Sequence, residues 1–326
     1  MKAAITGPTG HVGITLAQAL LDRGDDVRAI VRGASAALDH LALERVPGDV
    51  RDLATLVAAF KGVEVVFHAA ARISITRSDM RETMEVNVGG TRNVIEACRK
   101  AGVRRLVHFS SIEALNPFPL DTPVDEDRPA VSGSAGSPYA LSKAIAEAEV
   151  KRASADGLDA VILNPTAIIG PNDTKPSLLG RAIMSFARGS IPFLIDGGFD
   201  WVDVRDVAGS AVQAADRGVS GTRYILGGRW ASMAELASLA CEAVGRRPPR
   251  IMVPLALAQA WAPISSAWCR VAGRQPLFTG YTLSVLRGNR NTSHDRAARD
   301  LGHDPRDLRV TVRDTCAWFN SQNGRA

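Results

Sequence analysis

The sequence predicts an α/β fold with a doubly wound parallel sheet and a smaller C-terminal domain. Over the first 165 of the 326 residues, short apolar runs alternate with amphipathic segments. Apolar runs of this length are typical of buried strands, and strands that alternate with helices favour right-handed crossovers and a parallel sheet. After Pro165 the elements become shorter and the loops richer in Pro and Gly.

The predicted elements follow in order. Five runs predict strands: Lys2–Thr6, Val27–Val31, Val63–His68, Arg105–Phe109 and Ala160–Leu163. Four amphipathic segments predict helices: Val12–Arg23, Leu53–Phe60, Arg81–Lys100 and Pro138–Ala155. Later in the chain, Ser232 and Glu235 form a capping box for a helix that closes by Gly245. We expect residues 1–165 to form the main domain and 166–326 mainly the smaller one, with some segments returning to the sheet.

Composition narrows the class of protein. Hydrophobic residues make up 46% and charged residues 22%, as in a globular enzyme. The net charge of +5 is scattered, which argues against a nucleic-acid partner and is compatible with a small anionic ligand. Four cysteines, at positions 98, 241, 269 and 316, have neither paired nor metal-type spacing. We therefore expect reduced thiols, no metal and a cytoplasmic location.

One segment has nearly the length of a membrane span. Ile251 to Cys269 carries no charge over 19 residues. It contains two prolines, a glutamine and two serines, and its apolar character is mostly alanine. We therefore predict a buried or interfacial helix of the smaller domain and no membrane span.

A glycine-rich turn follows the first predicted strand. Glycines at 7, 10 and 13 would allow a tight turn, close approach of a pyrophosphate and close packing of helix on strand. The helix N-terminus would face the phosphates with unpaired amides. This pattern predicts a Rossmann domain that binds NAD(P), with contacts from Thr6, Gly7, Thr9, Gly10, His11, Val12 and Gly13.

Arg32 stands at the end of the second strand, where an acidic residue would bind the adenosine ribose hydroxyls. An arginine there accommodates a 2′-phosphate, so the sequence favours NADP, with NAD as the alternative. The other interpretation of Arg32 is a solvated surface residue.

Tyr139 and Lys143 lie one turn apart on a helix that Ser137 caps and Pro138 begins. A phenol with a pKa of about 10 is a poor base at neutral pH. A lysine ammonium one turn away favours the phenolate, which suits acid–base catalysis. An amphipathic helix with no catalytic role is the other interpretation.

These motifs, in this order, resemble the extended short-chain dehydrogenase/reductases, the NAD-dependent epimerase/dehydratase superfamily, over about the first 230 residues. The branch that they resemble most includes dihydroflavonol reductases and hydroxysteroid dehydrogenases. The resemblance rests on TGPTGHVG, HAAA at 68–71, NVGGT at 87–91, Ser110-Ser111, YALSK, NPTAIIGP at 164–171, DVRDV at 203–207 and GTRYILGG at 221–228.

The resemblance implies roles for further residues. Tyr139 would be the general acid/base, Lys143 would hold the nicotinamide ribose, and Ser111 would bind the substrate oxygen. Asn87 is either a structural residue or a proton-relay member. Pairing of helices 81–100 and 138–155 would give a homodimer in some relatives. Further cofactor contacts would come from Asp49, Val50, Ala69, Ala70, Ala71 and Pro165.

The motifs indicate the cofactor more directly than the reaction, because one fold hosts several different reactions. Ser111-Ile112-Glu113 lacks the Asp of related dehydratases, and Phe199-Asp200 lacks the Arg with which related epimerases hold a diphosphate. An apolar substrate suits Leu115–Leu120 and the segment with Trp261 and Trp268. We expect NADP-dependent interconversion of a hydrophobic ketone or aldehyde and its alcohol. The alternatives are a nucleotide-sugar epimerase and a non-catalytic NADP-binding sensor.

Overall fold

The computed structural model describes residues 1–74, 77–133, 136–261 and 285–323, together with Leu283. Its strands are β1 (Lys2–Thr6), β2 (Asp26–Val31), β3 (Glu44–Pro47), β4 (Val65–His68), β5 (Arg105–Phe109), β6 (Ala160–Pro165), β7 (Ala167–Ile169), β8 (Phe193–Ile195), β9 (Gly198–Asp203), β10 (Arg223–Leu226), β11 (Arg229–Ser232) and β12 (Ile251–Val253). Its helices are α1 (His11–Asp22), α2 (Leu53–Ala59), α3 (Met80–Met84), α4 (Gly90–Ala101), α5 (Pro138–Ala155), α6 (Leu178–Arg188), α7 (Val204–Arg217), α8 (Met233–Glu242), α9 (Asp295–Leu301) and α10 (Leu308–Asn323).

Seven strands form the central sheet, in the order β10-β6-β5-β4-β1-β2-β3. Every pair in it is parallel. The predicted doubly wound fold is therefore confirmed, and the five predicted strands agree with the structure to within two residues at each end. Strand β3 was not predicted, because Glu44–Pro47 forms an edge strand that is mostly exposed and lacks an apolar run.

Alternate residues of the strands supply two apolar layers, one on each face of the sheet. The layer against α1 and α7 includes Ile5, Phe67, Val107 and Leu163. The layer against α2 and α4 includes Ala4, Val66, Leu106 and Ile162. Burial on both faces explains why these strands read as continuous apolar runs in the sequence.

Capping side chains fix where several helices begin. Asp52 accepts hydrogen bonds from the first-turn amides of α2, and the Ser137 hydroxyl accepts one from Ala140 N at the start of α5. Ser232 likewise accepts from Glu235 N, and Gly245, with φ of +67°, lies three residues beyond the end of α8. The capped helices α5 and α8 begin where the sequence predicts.

The predicted helix 81–100 is interrupted in the structure. A π-helical turn, Glu85–Gly89, separates α3 from α4. The side chain of Asn87, inside this turn, binds the backbone of Arg72 and the hydroxyl of Ser142. These are tertiary contacts, which helical periodicity does not encode.

After Pro165 the chain contributes to the central sheet and to a second core. Strand β10 and helix α7 return to the sheet, as expected of some later segments. Two small sheets, β11-β9-β7 and β12-β8, surround a separate apolar cluster that includes Phe186, Trp201 and Leu236. The domain boundary at residue 165 stays a prediction.

The uncharged segment 251–269 is only partly described. Its first residues form strand β12, paired with β8, where a helix was predicted, and residues 255–261 are helical. Ile251 and Trp261 are exposed, whereas Trp268 and Cys269 lie outside the described residues. None of the helices in the described ranges combines the length and apolar character needed to cross a membrane.

Cys98, Cys241 and Cys316 are buried free thiols. The described part of the chain contains no group of three or more His, Cys, Asp or Glu side chains that could hold a metal ion.

Candidate active site

The candidate site lies at the carboxyl edge of the sheet, where the strand order reverses between β1 and β4. The connections of these two strands run over opposite faces, which opens a crevice at their carboxyl ends. The glycine-rich turn, residues 7–13, follows β1, and Ala69, Ala70 and Ala71 follow β4. Both predicted cofactor-lining stretches therefore border the same crevice.

Two glycines of this turn are required by close backbone contacts. Gly7 has φ of +74°, and a Cβ on it would lie 2.7 Å from Ala70 Cα. A Cβ on Gly13 would lie 2.2 Å from the carbonyl oxygen of Gly7. Gly10 is exposed instead, and a Cβ there would meet nothing nearer than 3.5 Å within the protein. Gly7 and Gly13 are thus required for packing. Gly10 leaves the exposed side of the turn free of side-chain atoms.

Of the remaining residues of the turn, two form hydrogen bonds to other segments and two are partly accessible. The Thr6 hydroxyl is buried and bonds to His68 Nδ1 at 2.7 Å, while His68 Nε2 bonds to the hydroxyl of Thr91 at 3.0 Å. His11 Nε2 bonds to the carbonyl oxygen of Pro171 at 2.8 Å. Thr6 therefore ties the turn to β4, and His11 ties it to the segment at Pro171. Thr9 and Val12 are partly accessible.

Charged residues gather at the outer end of the crevice, past β2 and β3. Arg32 is exposed directly after β2, and Asp49 and Val50 follow β3. A hydrogen bond from Arg51 lowers the pKa of Asp49, and the charge of Arg32 lowers it further. Arg51 was not singled out from the sequence, because the contact that places it depends on the loop after β3.

The crevice fits a dinucleotide. No side chain caps the first turn of α1, so its amides are available to a phosphate. The backbone at Gly10 is open, and a guanidinium stands at the far end. When bound, a nicotinamide dinucleotide would accept or supply a hydride.

Ser111, Tyr139 and Lys143 meet at the carboxyl end of β5. The Tyr139 phenol lies beside the Ser111 side chain, whose hydroxyl favours the phenolate. Lys143 Nζ donates to the carbonyl oxygen of Phe109 at 2.6 Å and lies 6.0 Å from the centroid of the Tyr139 ring. A carbonyl oxygen placed between Ser111 and Tyr139 would have two hydroxyl donors.

Burial shifts the pKa of both ionisable groups. It raises the pKa of Tyr139, and the nearby charge of Glu113 raises it further, while the Ser111 hydroxyl lowers it. Burial lowers the pKa of Lys143 to about 8, against the opposing effect of the Glu147 carboxylate. Without cofactor, the phenol is therefore protonated at neutral pH. Glu113 and Glu147 are site residues that the sequence reasoning did not assign.

The two serines that follow β5 have separate environments. The Ser110 hydroxyl is buried and donates to Glu147 Oε2 at 2.9 Å, away from Tyr139. The Ser111 hydroxyl accepts from Glu113 N at 3.2 Å and faces the phenol. This arrangement agrees with the choice of Ser111 over Ser110.

Asn87 joins the segment after β4 to α5. Its amide nitrogen donates to the carbonyl oxygen of Arg72 at 3.0 Å and to the Ser142 hydroxyl at 2.8 Å. Of the two interpretations of Asn87, these contacts support the structural one.

Phe199 and Asp200, the residues compared above with the diphosphate site of epimerases, lie on β9, and Pro165 is the last residue of β6. Pro165 is buried and pairs with Leu226 in the sheet. Phe199 packs edge-on against Trp201, with ring centroids 5.2 Å apart. The Asp200 carboxylate accepts from Gly228 N at 2.7 Å, and burial raises its pKa. Asp200 therefore holds the turn before β11.

The parallel sheet, with the glycine-rich turn and the Ser111, Tyr139 and Lys143 side chains at its carboxyl edge, defines the class of protein. The protein is an NAD(P)-dependent oxidoreductase acting on CH–OH groups. Residues 3–227 match the model of the NAD dependent epimerase/dehydratase family, and the chain belongs to that family. The predicted family and enzyme class are confirmed.

Curated relatives span most or nearly all of the chain. Sterol demethylase protein B of Methylococcus capsulatus is 38% identical over 326 residues, covering 99% of both chains. A putative dihydroflavonol 4-reductase of Synechocystis is 33% identical, covering 97% of this chain and 94% of the relative. A UDP-glucose 4-epimerase of Mycolicibacterium smegmatis is 32% identical, covering 77% and 87%.

Solved structures agree with the fold. The crystal structure of gox2253 is 36% identical, with a TM-score of 0.85, covering 99% of this chain and 98% of that one. The Bordetella bronchiseptica enzyme WbmH in complex with NAD+ is 26% identical, with a TM-score of 0.77, covering 98% of each chain.

Proposed function

We propose that the protein is an NADP-dependent oxidoreductase that interconverts a hydrophobic ketone or aldehyde and its alcohol. The observation that carries the proposal is that Tyr139 and Lys143, 6.0 Å apart from ring centroid to Nζ, lie beside Ser111 at the carboxyl end of β5, with Lys143 buried. Relatives named as reductases support the same class of reaction.

The proposed roles follow from what each side chain can donate. Tyr139 gives its phenolic proton to the substrate oxygen as general acid, and Ser111 donates a second hydrogen bond to the same oxygen. Lys143 stabilises the phenolate that remains, because an ammonium nearby favours the charged form of a phenol. It also binds the nicotinamide ribose. In the reverse reaction the phenolate removes the proton from the alcohol.

The direction of reaction depends on the protonation of Tyr139. Because burial raises the pKa of Tyr139, the phenol carries its proton at neutral pH. Reduction needs that protonated phenol, whereas oxidation needs the phenolate. We therefore expect carbonyl reduction near neutral pH and alcohol oxidation only at alkaline pH.

The choice of NADP rests on Arg32. It is exposed at the end of β2, beside the position at which the adenosine ribose binds in this fold. A guanidinium pairs with a phosphate by charge-assisted hydrogen bonds. We propose contacts to the 2′-phosphate from Arg32 and to the adenine from Asp49 and Val50.

An apolar substrate is favoured by the surroundings of the site. Phe199 presents no charge that could pair with a diphosphate. Phe118 and Leu120, in the loop after the catalytic serine, are exposed apolar side chains. An epimerase acting on a nucleotide sugar is the second candidate, because a relative named as a UDP-glucose 4-epimerase matches 77% of the chain. A homodimer through α4 and α5 stays a prediction.

The experiment is a reduction assay with NADPH and a panel of aryl aldehydes and ketones, with UDP-glucose as the epimerase substrate. Tyr139→Phe should lower kcat by about 10²–10⁴-fold while NADPH affinity stays unchanged, since only the proton donor is removed. Tyr224→Phe is the matched control, because Tyr224 is buried elsewhere and its oxygen accepts from Val219 N.

Three outcomes contradict the proposal in different ways. Epimerisation of UDP-glucose without carbonyl reduction supports the second candidate. NADPH binding without turnover of any substrate supports a sensor. Reduction by Tyr139→Phe within a few-fold of the parent removes Tyr139 from the mechanism.

A further inference from the structure

Helix α5 carries four ionisable side chains at intervals of four residues. Tyr139, Lys143, Glu147 and Lys151 therefore form one stripe along its inner face. Lys143 and Glu147 are buried, with 3% and 2% exposure, and the Lys151 side chain is 43% exposed at the outer end. The stripe leads from the candidate active site to the surface.

Glu147 is anchored by four partners from four segments. Its carboxylate accepts from Ser110 Oγ at 2.9 Å, Asn164 Nδ2 at 2.9 Å and Arg223 Nε at 2.6 Å, and Lys151 Nζ lies 3.5 Å away. Asn164 lies on β6 and Arg223 on β10. A buried carboxylate with this many donors is both fixed in position and stabilised as an anion.

Lys143 Nζ donates to the carbonyl oxygen of Phe109 at 2.6 Å, and two histidines also lie near it. His68 and His108 face it from β4 and β5, and burial lowers the pKa of His68 to about 3 and that of His108 well below its usual value. Both imidazoles are therefore neutral. Burial also lowers the pKa of Lys143 to about 8, and Glu147 acts in the opposite direction.

Other charged groups around α5 are directed elsewhere. Glu113 faces Tyr139, and Arg92 pairs with Glu149 on the outer side of the helix. Glu82 of α3 pairs with Arg72, and Glu85 of the π turn pairs with Arg51. At the far end, Arg223 and Lys151 line a surface cavity of about 320 Å³ together with Glu147.

We propose that Glu147 is a positioning residue, whose anchored carboxylate keeps the buried ammonium of Lys143 charged. The inference rests on the proposed function of Tyr139 and Lys143. A charged Lys143 stabilises the phenolate that Tyr139 becomes when it gives up its proton. The arrangement places the counter-charge on the side of Lys143 away from the substrate, so that the phenol and Ser111 remain free to donate.

The direct test measures the protonation of Lys143 without cofactor or substrate. The chain has six lysines, so the ¹³Cε signals of a lysine-labelled sample can be followed by NMR as pH changes. Lys143→Met assigns the signal by removing it. Glu147→Gln should lower the pKa of Lys143 by at least about one unit from its parent value, because a compensating anion is lost and Arg223 is left unpaired.

A matched control and a charge-retaining variant accompany the test. Glu149→Gln makes the same chemical change two residues away, in a side chain that pairs with Arg92 and Arg152, and should leave the Lys143 titration unchanged. Glu147→Asp keeps the charge and should keep most of the parent pKa. Should Glu147→Gln fail to fold, Glu147→Gln combined with Arg223→Gln removes both charges and should still give a lower pKa than Glu147→Asp.

The second readout is the pH profile of carbonyl reduction with NADPH and the best aryl substrate of the panel. Reduction needs both Lys143 charged and Tyr139 protonated, so a lower pKa of Lys143 moves the alkaline limit of activity to lower pH in Glu147→Gln. An unchanged Lys143 titration in the charge-removing variants overturns the inference. An inactive parent overturns the proposed function instead, and leaves the NMR result to decide the inference.

Discussion

The two halves of the chain place their functional residues in different ways. Before Pro165, the candidate cofactor and catalytic residues stand at the ends of strands or in the first turns of helices, as Arg32 and Ser111 do. After Pro165, the residues that the sequence links to substrate choice, and their neighbours, are held by side-chain contacts to other segments. The Asp200 carboxylate holds Gly228 N, and Trp201 Nε1 donates to the carbonyl oxygen of Ala231.

This difference predicts how each half responds to substitution. At a strand end the backbone itself forms the site, so adding one methyl group can lower both the stability of the fold and the affinity for the ligand. In the second half, single side-chain hydrogen bonds hold the backbone, so we expect the loss of one of them to cost some stability and to leave the cofactor crevice in place. The predictions below, from the largest effect to the smallest, test that contrast.

The largest effect is expected in the glycine-rich turn. Gly13→Ala places a Cβ 2.2 Å from the carbonyl oxygen of Gly7 and 2.8 Å from Pro8 Cα, which are backbone atoms that cannot rotate away. The variant should lose about 1–3 kcal/mol of stability, since it is overpacked, and it should lose cofactor binding. Thermal unfolding and an NADPH titration measure the two effects.

Gly10→Ala is the matched control. Gly10 has φ of −85°, which alanine adopts, and its Cβ would meet the nearest protein atom at 3.5 Å. Its melting temperature should hold or rise slightly, because alanine restricts the unfolded chain. NADPH affinity should still fall, because the open side of the turn is where a pyrophosphate approaches. Equal stability of Gly10→Ala and Gly13→Ala would contradict the division between packing and binding.

Much of the first half was predictable because its signals are local. The apolar runs of β1 and β5, the Ser137 cap of α5 and the Gly7 turn each depend on residues close in sequence. The missed elements depend on distant ones. The π turn at Glu85–Gly89 is held by Asn87 contacts to α5, and β12 exists through its pairing with β8.

The residues of the candidate site also fall into two groups: those predictable from nearby sequence and those whose role depends on distant contacts. Tyr139 and Lys143 could be paired from their spacing alone, because one helical turn separates them. Glu147 has the same spacing from Lys143, but its significance depends on Arg223, 76 residues away. Glu113 was visible in the sequence, yet its position beside Tyr139 depends on how the turn after β5 packs on α5.

An intermediate effect is expected for cofactor choice. If Arg32 pairs with a 2′-phosphate, NADPH should bind more tightly than NADH by about 1.5–3 kcal/mol, or about 10- to 150-fold. Arg32→Asp should reverse the order without changing stability, because Arg32 is exposed. Arg188→Asp, an equal charge change on α6, should leave the ratio unchanged. Titrations of both cofactors decide, and equal affinities in the parent would remove the basis for NADP.

The smallest effect is expected in the second half, at the start of α8. Ser232→Ala removes the hydroxyl that accepts from Glu235 N at 3.1 Å, so stability should fall by about 1 kcal/mol. Ser238→Ala is the control on the same helix. The Ser238 hydroxyl donates to the carbonyl oxygen of Ala234 within the helix, and such a bond contributes little to stability. Both variants should keep the parent's NADPH affinity. A loss of NADPH affinity in Ser232→Ala would show that α8 is coupled to the crevice, and would break the contrast between the two halves.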